Sequence, residues 1–126
     1  MNMHNWNKGK WIFKDIHNLD YPFYHIHPYK QLITYELTRA LPNWVTHVIV
    51  FGSSTHSSHM FWKDLDICLV GEYIKDTKYI ELKDKFRCCD IIKVASMERL
   101  RELADYNFNS VYYNIMKEGV LVYEKI

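Results

Sequence analysis

Short apolar runs alternate with polar, glycine- or proline-bounded stretches along this chain. VTHVIVF (45–51) is β-branched and stops at Gly52, DLDICLV (64–70) stops at Gly71, CCDIIKV spans 88–94, and VLVYE (120–124) lies near the carboxyl end. Such residues suit a pleated, half-buried surface, so each run predicts a strand. YKQLITYELTRAL (29–41) sets Ile33, Leu37, Ala40 and Leu41 at helical spacing, and Pro42 stops that helix. KDTKYIELKDKF (75–86) is polar and weakly helical. Ser96 is a natural N-cap for MERLRELADY. SVYYNIMKE (110–118) predicts a last helix with Gly119 at its C′ position. SSTHSSH (53–59) reads as a polar loop or a short helical turn. Helices and strands are interleaved without repeats or linkers, which gives an α/β or α+β class: a small mixed β-sheet flanked by helices.

Residues 1–28 break this rhythm. Trp6, Trp11, Phe13, Tyr21, Phe23 and Tyr24 sit among His, Asn and Lys, too aromatic for ordinary disorder. WIFKDI and YPFYHI are each a short strand or part of an irregular packed arm. The expected organisation is an aromatic arm over 1–28, part of the same unit as a domain over 29–126. The arm either covers a sheet face or docks a partner.

Composition narrows the classes. The 126 residues point to one domain, and 48% hydrophobic with 16% aromatic residues supply its core. The longest apolar run is far too short to span a bilayer, and the polar, aromatic stretch MNMHNWNKGKWIFKD lacks the apolar run of a signal peptide, so no export is expected. A formal charge of +1 leaves no global footprint for nucleic acid. Three cysteines make no disulfide framework; Cys68, Cys88 and Cys89 fall in strand patterns and read as core thiols. The expected setting is a reduced cytoplasm. His25 and His27 lack the further spaced ligands a zinc site needs.

FGSSTHSSHMFWKDLDICLV (51–70) carries the chemistry. Alternate strand residues share a face, so Asp64 and Asp66 point one way while Leu65 and Ile67 point to the core. Two neighbouring carboxylates repel each other and resist desolvation, which a divalent cation relieves. Magnesium prefers such oxygen ligands, together with substrate phosphates. A third carboxylate, Asp90, lies in the strand CCDIIKV. If it faces the same side, three carboxylates converge as a two-metal phosphoryl-transfer site requires. Gly52 lets backbone approach a ligand, and the amides after it, with the Ser53 hydroxyl, can hold phosphate oxygens. Neither a Walker A loop nor a Rossmann fingerprint is present. Gly-Ser, a gap of ten residues and Asp-x-Asp arise by chance about once in 100,000 positions at ordinary residue frequencies. Alone, the aspartate pair reads as a solvated strand start; Asp90 reads as a site residue ahead of the alternative, an edge-strand charge; His56 and His59 read as loop residues ahead of ligands, with contact to phosphate open to either.

An apolar strand, Gly-Ser, Asp-apolar-Asp and a later strand aspartate together resemble the polymerase-β-type nucleotidyltransferase superfamily. The small size resembles its minimal nucleotidyltransferase branch, often paired with a helical HEPN partner in toxin–antitoxin modules. NIMKEGVLVYE also resembles the ends of such proteins. The resemblance spans about residues 30–126. It implies that Gly52 and Ser53, with His56 and Ser57 on the same loop, bind a nucleoside triphosphate, with ATP expected. It implies that Asp64, Asp66 and Asp90 bind two magnesium ions, and that Asp90 helps activate the acceptor hydroxyl. The reaction implied is transfer of a nucleoside monophosphate to a hydroxyl, on a partner protein or small molecule, with release of pyrophosphate. Ser57 stands where many members carry a second glycine, and His56 where many carry a basic residue. With little room for an acceptor domain, a HEPN-type partner or a second copy in a homo-oligomer would complete the site. The alternative is a catalytically degenerate member that acts by binding alone.

Overall fold

The computed structural model describes residues 9–15, 28–52, 65–75 and 77–126. The expectations for Ser53, His56, Ser57, His59 and Asp64, and for YPFYHI, lie outside these residues. In chain order the elements are β1 (Gly9–Asp15), α1 (Pro28–Thr38), β2 (His47–Phe51), β3 (Leu65–Val70), α2 (Thr77–Lys85), β4 (Cys89–Val94), α3 (Met97–Tyr106), α4 (Val111–Glu118) and β5 (Val120–Lys125). The strands form one mixed sheet in the order β1-β5-β2-β3-β4. Neighbours are antiparallel except β3 and β4, which run parallel and are joined through α2. An α+β class is therefore shown.

The two-residue period of the strands divides the core into two layers. Val48, Val50, Leu65, Ile67 and Leu69 meet Leu37 of α1 and Leu82 of α2 on one face. Ile49, Phe51, Cys68, Val70 and Val94 meet Leu100 of α3 and Ile115 of α4 on the other. Burial on both faces explains why β2 is almost continuously apolar. Ser96 caps α3 as its sequence position implies, its Oγ accepting from Arg99 N–H at 3.0 Å. Ser110 does the same for α4 through Tyr113 N–H at 3.1 Å.

Several boundaries differ from the sequence reading, each for a local reason. The first helix ends at Thr38, before the periodic residues Ala40 and Leu41. Thr38 Oγ1 donates to Tyr35 O at 2.7 Å, while Arg39 and Ala40 N–H turn back to carbonyls three residues earlier. Pro42 also biases Leu41 away from helical backbone, so its effect reaches upstream. The WIFKD part of that segment, residues 11–15, belongs to an edge strand, β1, which pairs with β5. Cys88 is not a core thiol: it is an exposed turn residue, and β4 begins one residue later. Gly119 is not left-handed; its φ is −70° and ψ 151°. Glycine is needed there for space, since a Cβ would run into Ile115 O and lie 2.8 Å from Ile49 Cγ2.

Gly119→Ala is expected to destabilise the fold by about 1–3 kcal/mol, the usual range for forcing a methyl into packed core. Urea unfolding would measure it, with an unchanged midpoint counting against this packing. A second expectation concerns pH. Burial pushes the His47 imidazole below its ordinary value of 6.5, against the opposing pull of Glu124, whose Oε1 lies 4.0 Å from His47 Nε2. The unfolded chain therefore binds the proton first as pH falls through about 6.5, and stability drops until the folded-state value is passed. His47→Gln should flatten that part of the stability–pH curve and leave the region above pH 7 unchanged.

Candidate carboxylate site

β3 and β4 are tied at both ends. Leu65 N–H donates to Cys88 O at 3.3 Å, and Gly71 N–H donates to Val94 O at 2.8 Å. Between these bonds the parallel register sets Leu65 beside Cys89, Asp66 beside Asp90, and Ile67 beside Ile91. Register partners in a sheet share a face, and neighbouring strands lie about 4.8 Å apart. Asp66 and Asp90 therefore stand side by side. Alternation places Asp66 with Cys68 and Val70, and Asp90 with Ile92 and Val94, on the face that α3 and α4 cover. Asp66 is half-buried and Asp90 exposed, so the pair sits at the rim of that layer and opens to solvent. Leu65 and Ile67 point into the opposite layer, as the sequence implies.

The end of β2 completes the rim. Phe51 pairs with Asp66 across the antiparallel β2–β3 ladder, and its buried ring belongs to the same layer. Gly52 follows with φ +72°, in the left-handed region. A Cβ on Gly52 would collide with Asp66 Oδ2. The backbone conformation calls for glycine here, and the Asp66 carboxylate fills the space a Cβ would take, so a side chain at 52 would turn that carboxylate aside. The close approach inferred for a ligand is made in this structure by Asp66 itself.

Of the residues singled out in the sequence, the structure brings together Gly52, Asp66 and Asp90, one from each of three adjacent strands or strand ends. Ser53, His56, Ser57 and Asp64 lie outside the described residues. Among the described residues, no group of three or more His, Cys, Asp or Glu side chains forms a metal-binding cluster. The pair is an all-oxygen donor set, which fits a hard divalent cation rather than a soft one. Two like charges in register also repel, so the pair is held by the sheet and not by mutual attraction.

A second feature was not singled out in the sequence. Tyr73, Tyr79, Ile80, Lys83, Asp84 and Arg87 line an open cleft beside α2, on the side of the other core layer. Lys93 Nζ sits 3.6 Å from the Tyr73 ring centre and 4.9 Å from that of Tyr79. The cation is already satisfied by two ring faces, and Arg87 is committed to Asp84 at 2.7 Å, so the cleft is a self-contained packing motif. The recurrence of Tyr and Lys in EYIKDTKYIELK is its only signal in the sequence.

Two outcomes follow. Asp90→Asn removes one of two like charges and should raise stability in metal-free buffer by about 0.2–1 kcal/mol, while abolishing any magnesium-dependent rise in melting temperature. Thermal scans with and without magnesium read both effects, and a magnesium-dependent rise that survives in the variant would count against the pair as ligands. Gly52→Ala should destabilise by at least about 1–2 kcal/mol from its left-handed backbone alone. Combining it with Asp66→Ala should restore part of that loss, because the collision is gone; strict additivity in a double-mutant cycle would refute the contact. No protein-family model matches this chain and no curated protein matches it, so the case for function rests on these side chains.

Proposed function

We propose that this protein is a magnesium-dependent nucleotidyltransferase of the polymerase-β type, moving a nucleoside monophosphate from a nucleoside triphosphate, ATP in the first instance, to a hydroxyl on a partner protein or small molecule. The observation that supports this reading most is the in-register pair Asp66–Asp90, with the Asp66 carboxylate lying against Gly52 at the end of β2. A carboxylate pair at a solvent-open rim, beside a glycine turn leading into a Ser-rich segment, suits a metal-bound triphosphate better than any other ligand class.

In this reading Asp64, Asp66 and Asp90 hold magnesium, and Gly52, Ser53, His56 and Ser57 hold the triphosphate. Bound magnesium would supply charge neutralisation at the phosphates and a more acidic acceptor hydroxyl. The acceptor oxygen bonds to the α-phosphorus as the bond to the β-phosphate oxygen breaks, and pyrophosphate leaves. Asp90, the more exposed of the described pair, takes the hydroxyl proton. Gly52 keeps Asp66 oriented, because no side chain competes for its place. The exposed rim leaves the acceptor to come from outside: a HEPN-type helical protein, as in toxin–antitoxin pairs, or a second copy of the chain. No helix among the described residues is long and apolar enough to cross a membrane, and we place the activity in the cytoplasm.

The test is transfer of label from each α-labelled nucleoside triphosphate in the presence of magnesium, with and without a co-purifying partner. Label should move to a protein or small molecule. It should fall at least about 100-fold in Asp64→Asn/Asp66→Asn, as expected when charge stabilisation of a transition state is lost. Equal transfer by the double variant would overturn the assignment of these residues. Absence of transfer with every nucleotide, with partner binding intact in the double variant, would establish the contact-only antitoxin reading instead.

A further inference from the structure

Adjacent residues of a strand point to opposite faces, which normally drives their side chains apart. Cys88 and Cys89 escape that rule. Cys89 opens β4, but Cys88 belongs to the turn that follows α2. Cys89 N–H donates to Phe86 O at 3.0 Å, closing the turn, and Cys88 O accepts from Leu65 N–H at the edge of β3. The turn folds the two side chains toward each other, and their sulfurs lie 3.9 Å apart. Cys88 is exposed and Cys89 half-buried, so the pair is reachable from solvent.

That spacing suits one chemistry better than another. Adjacent Cα atoms are about 3.8 Å apart, shorter than the roughly 4.4–6.8 Å that a disulfide spans. Ring closure between Cys88 and Cys89 is therefore strained, and the reduced pair is the form this turn accommodates. A thiophilic centre makes no such demand. Two bonds of about 2.3 Å meeting at a tetrahedral angle place their sulfurs about 3.8 Å apart, and the narrower angle at pyramidal trivalent arsenic draws them a few tenths of an ångström closer, a small side-chain rotation from the 3.9 Å already present.

We infer that Cys88 and Cys89 form a vicinal dithiol site, preset to chelate a soft thiophilic centre such as a trivalent arsenical, at the turn leading into β4. The site is distinct from the carboxylate pair in donor chemistry: sulfur takes soft centres and the Asp66–Asp90 oxygens take hard ones. It stands whether or not the chain transfers nucleotides. With phenylarsine oxide the step is balanced without redox change. Two S–H bonds break, two As–S bonds form, and the oxide oxygen leaves as water with both protons, arsenic remaining trivalent.

The experiment is mass spectrometry of the whole protein after phenylarsine oxide, then excess glutathione. The wild-type chain should keep one phenylarsenic group through the glutathione wash and release it to 2,3-dimercaptopropanol. Cys88→Ser and Cys89→Ser should each lose retention by roughly 100-fold or more, since chelation is then impossible. Cys68→Ala should retain the group, because Cys68 is fully buried in the core. Loss of the group from wild type in glutathione would overturn the proposal without recourse to any variant, and so would undiminished retention by Cys88→Ser.

Discussion

The parallel, in-register pairing of β3 with β4 is the constraint on which the candidate site depends. Asp66 and Asp90 are separated by 24 positions in the chain, and only this ladder sets them side by side. A shift of one residue would send Asp90 to the opposite face, among the side chains that meet α1 and α2. The bonds from Leu65 to Cys88 O and from Gly71 to Val94 O close the ladder at either end. Apolar burial holds it between them: Ile67 and Leu69 in one layer, Cys68 and Val70 in the other. The repulsion between the two carboxylates is thus opposed by burial further along the same strands.

That arrangement also explains why the site lies at a rim. β2 and β3 are buried over nearly their whole length because helices cover both faces. A carboxylate in the middle of either strand would be desolvated without compensation. At the first turn of the ladder, Asp66 keeps partial access to solvent and Asp90 more. Gly52 then removes the one side chain that would occupy the space of the Asp66 carboxylate. Sheet register, strand-end position and a missing Cβ together make two acidic groups tolerable next to a packed core.

The same turn geometry that opens β4 separates two kinds of donor. Asp90 follows the strand alternation; Cys88 does not, because it precedes the strand. Hard oxygen donors on the sheet face and soft sulfur donors at the turn therefore lie within three consecutive residues, Cys88 to Asp90.

Much of this was legible in the chain. The β-branched runs, the Ser96 cap, and the inward direction of Leu65 and Ile67 follow from local rules of periodicity and hydrogen bonding, which need no distant partner. So does the end of β2 at Gly52. Other features depend on contacts between segments far apart. The face of Asp90 depends on its register against β3. The need for glycine at 119 depends on Ile49, seventy residues earlier. WIFKD becomes part of an edge strand because β5 offers it a free side, and its own residues allow an irregular arm equally well. Cys88 leaves the core because the turn after α2 absorbs it, a boundary of one residue that periodicity does not resolve. Residue type and spacing determined which chemistry this chain can present; only the pairing of its strands decided which of those groups meet.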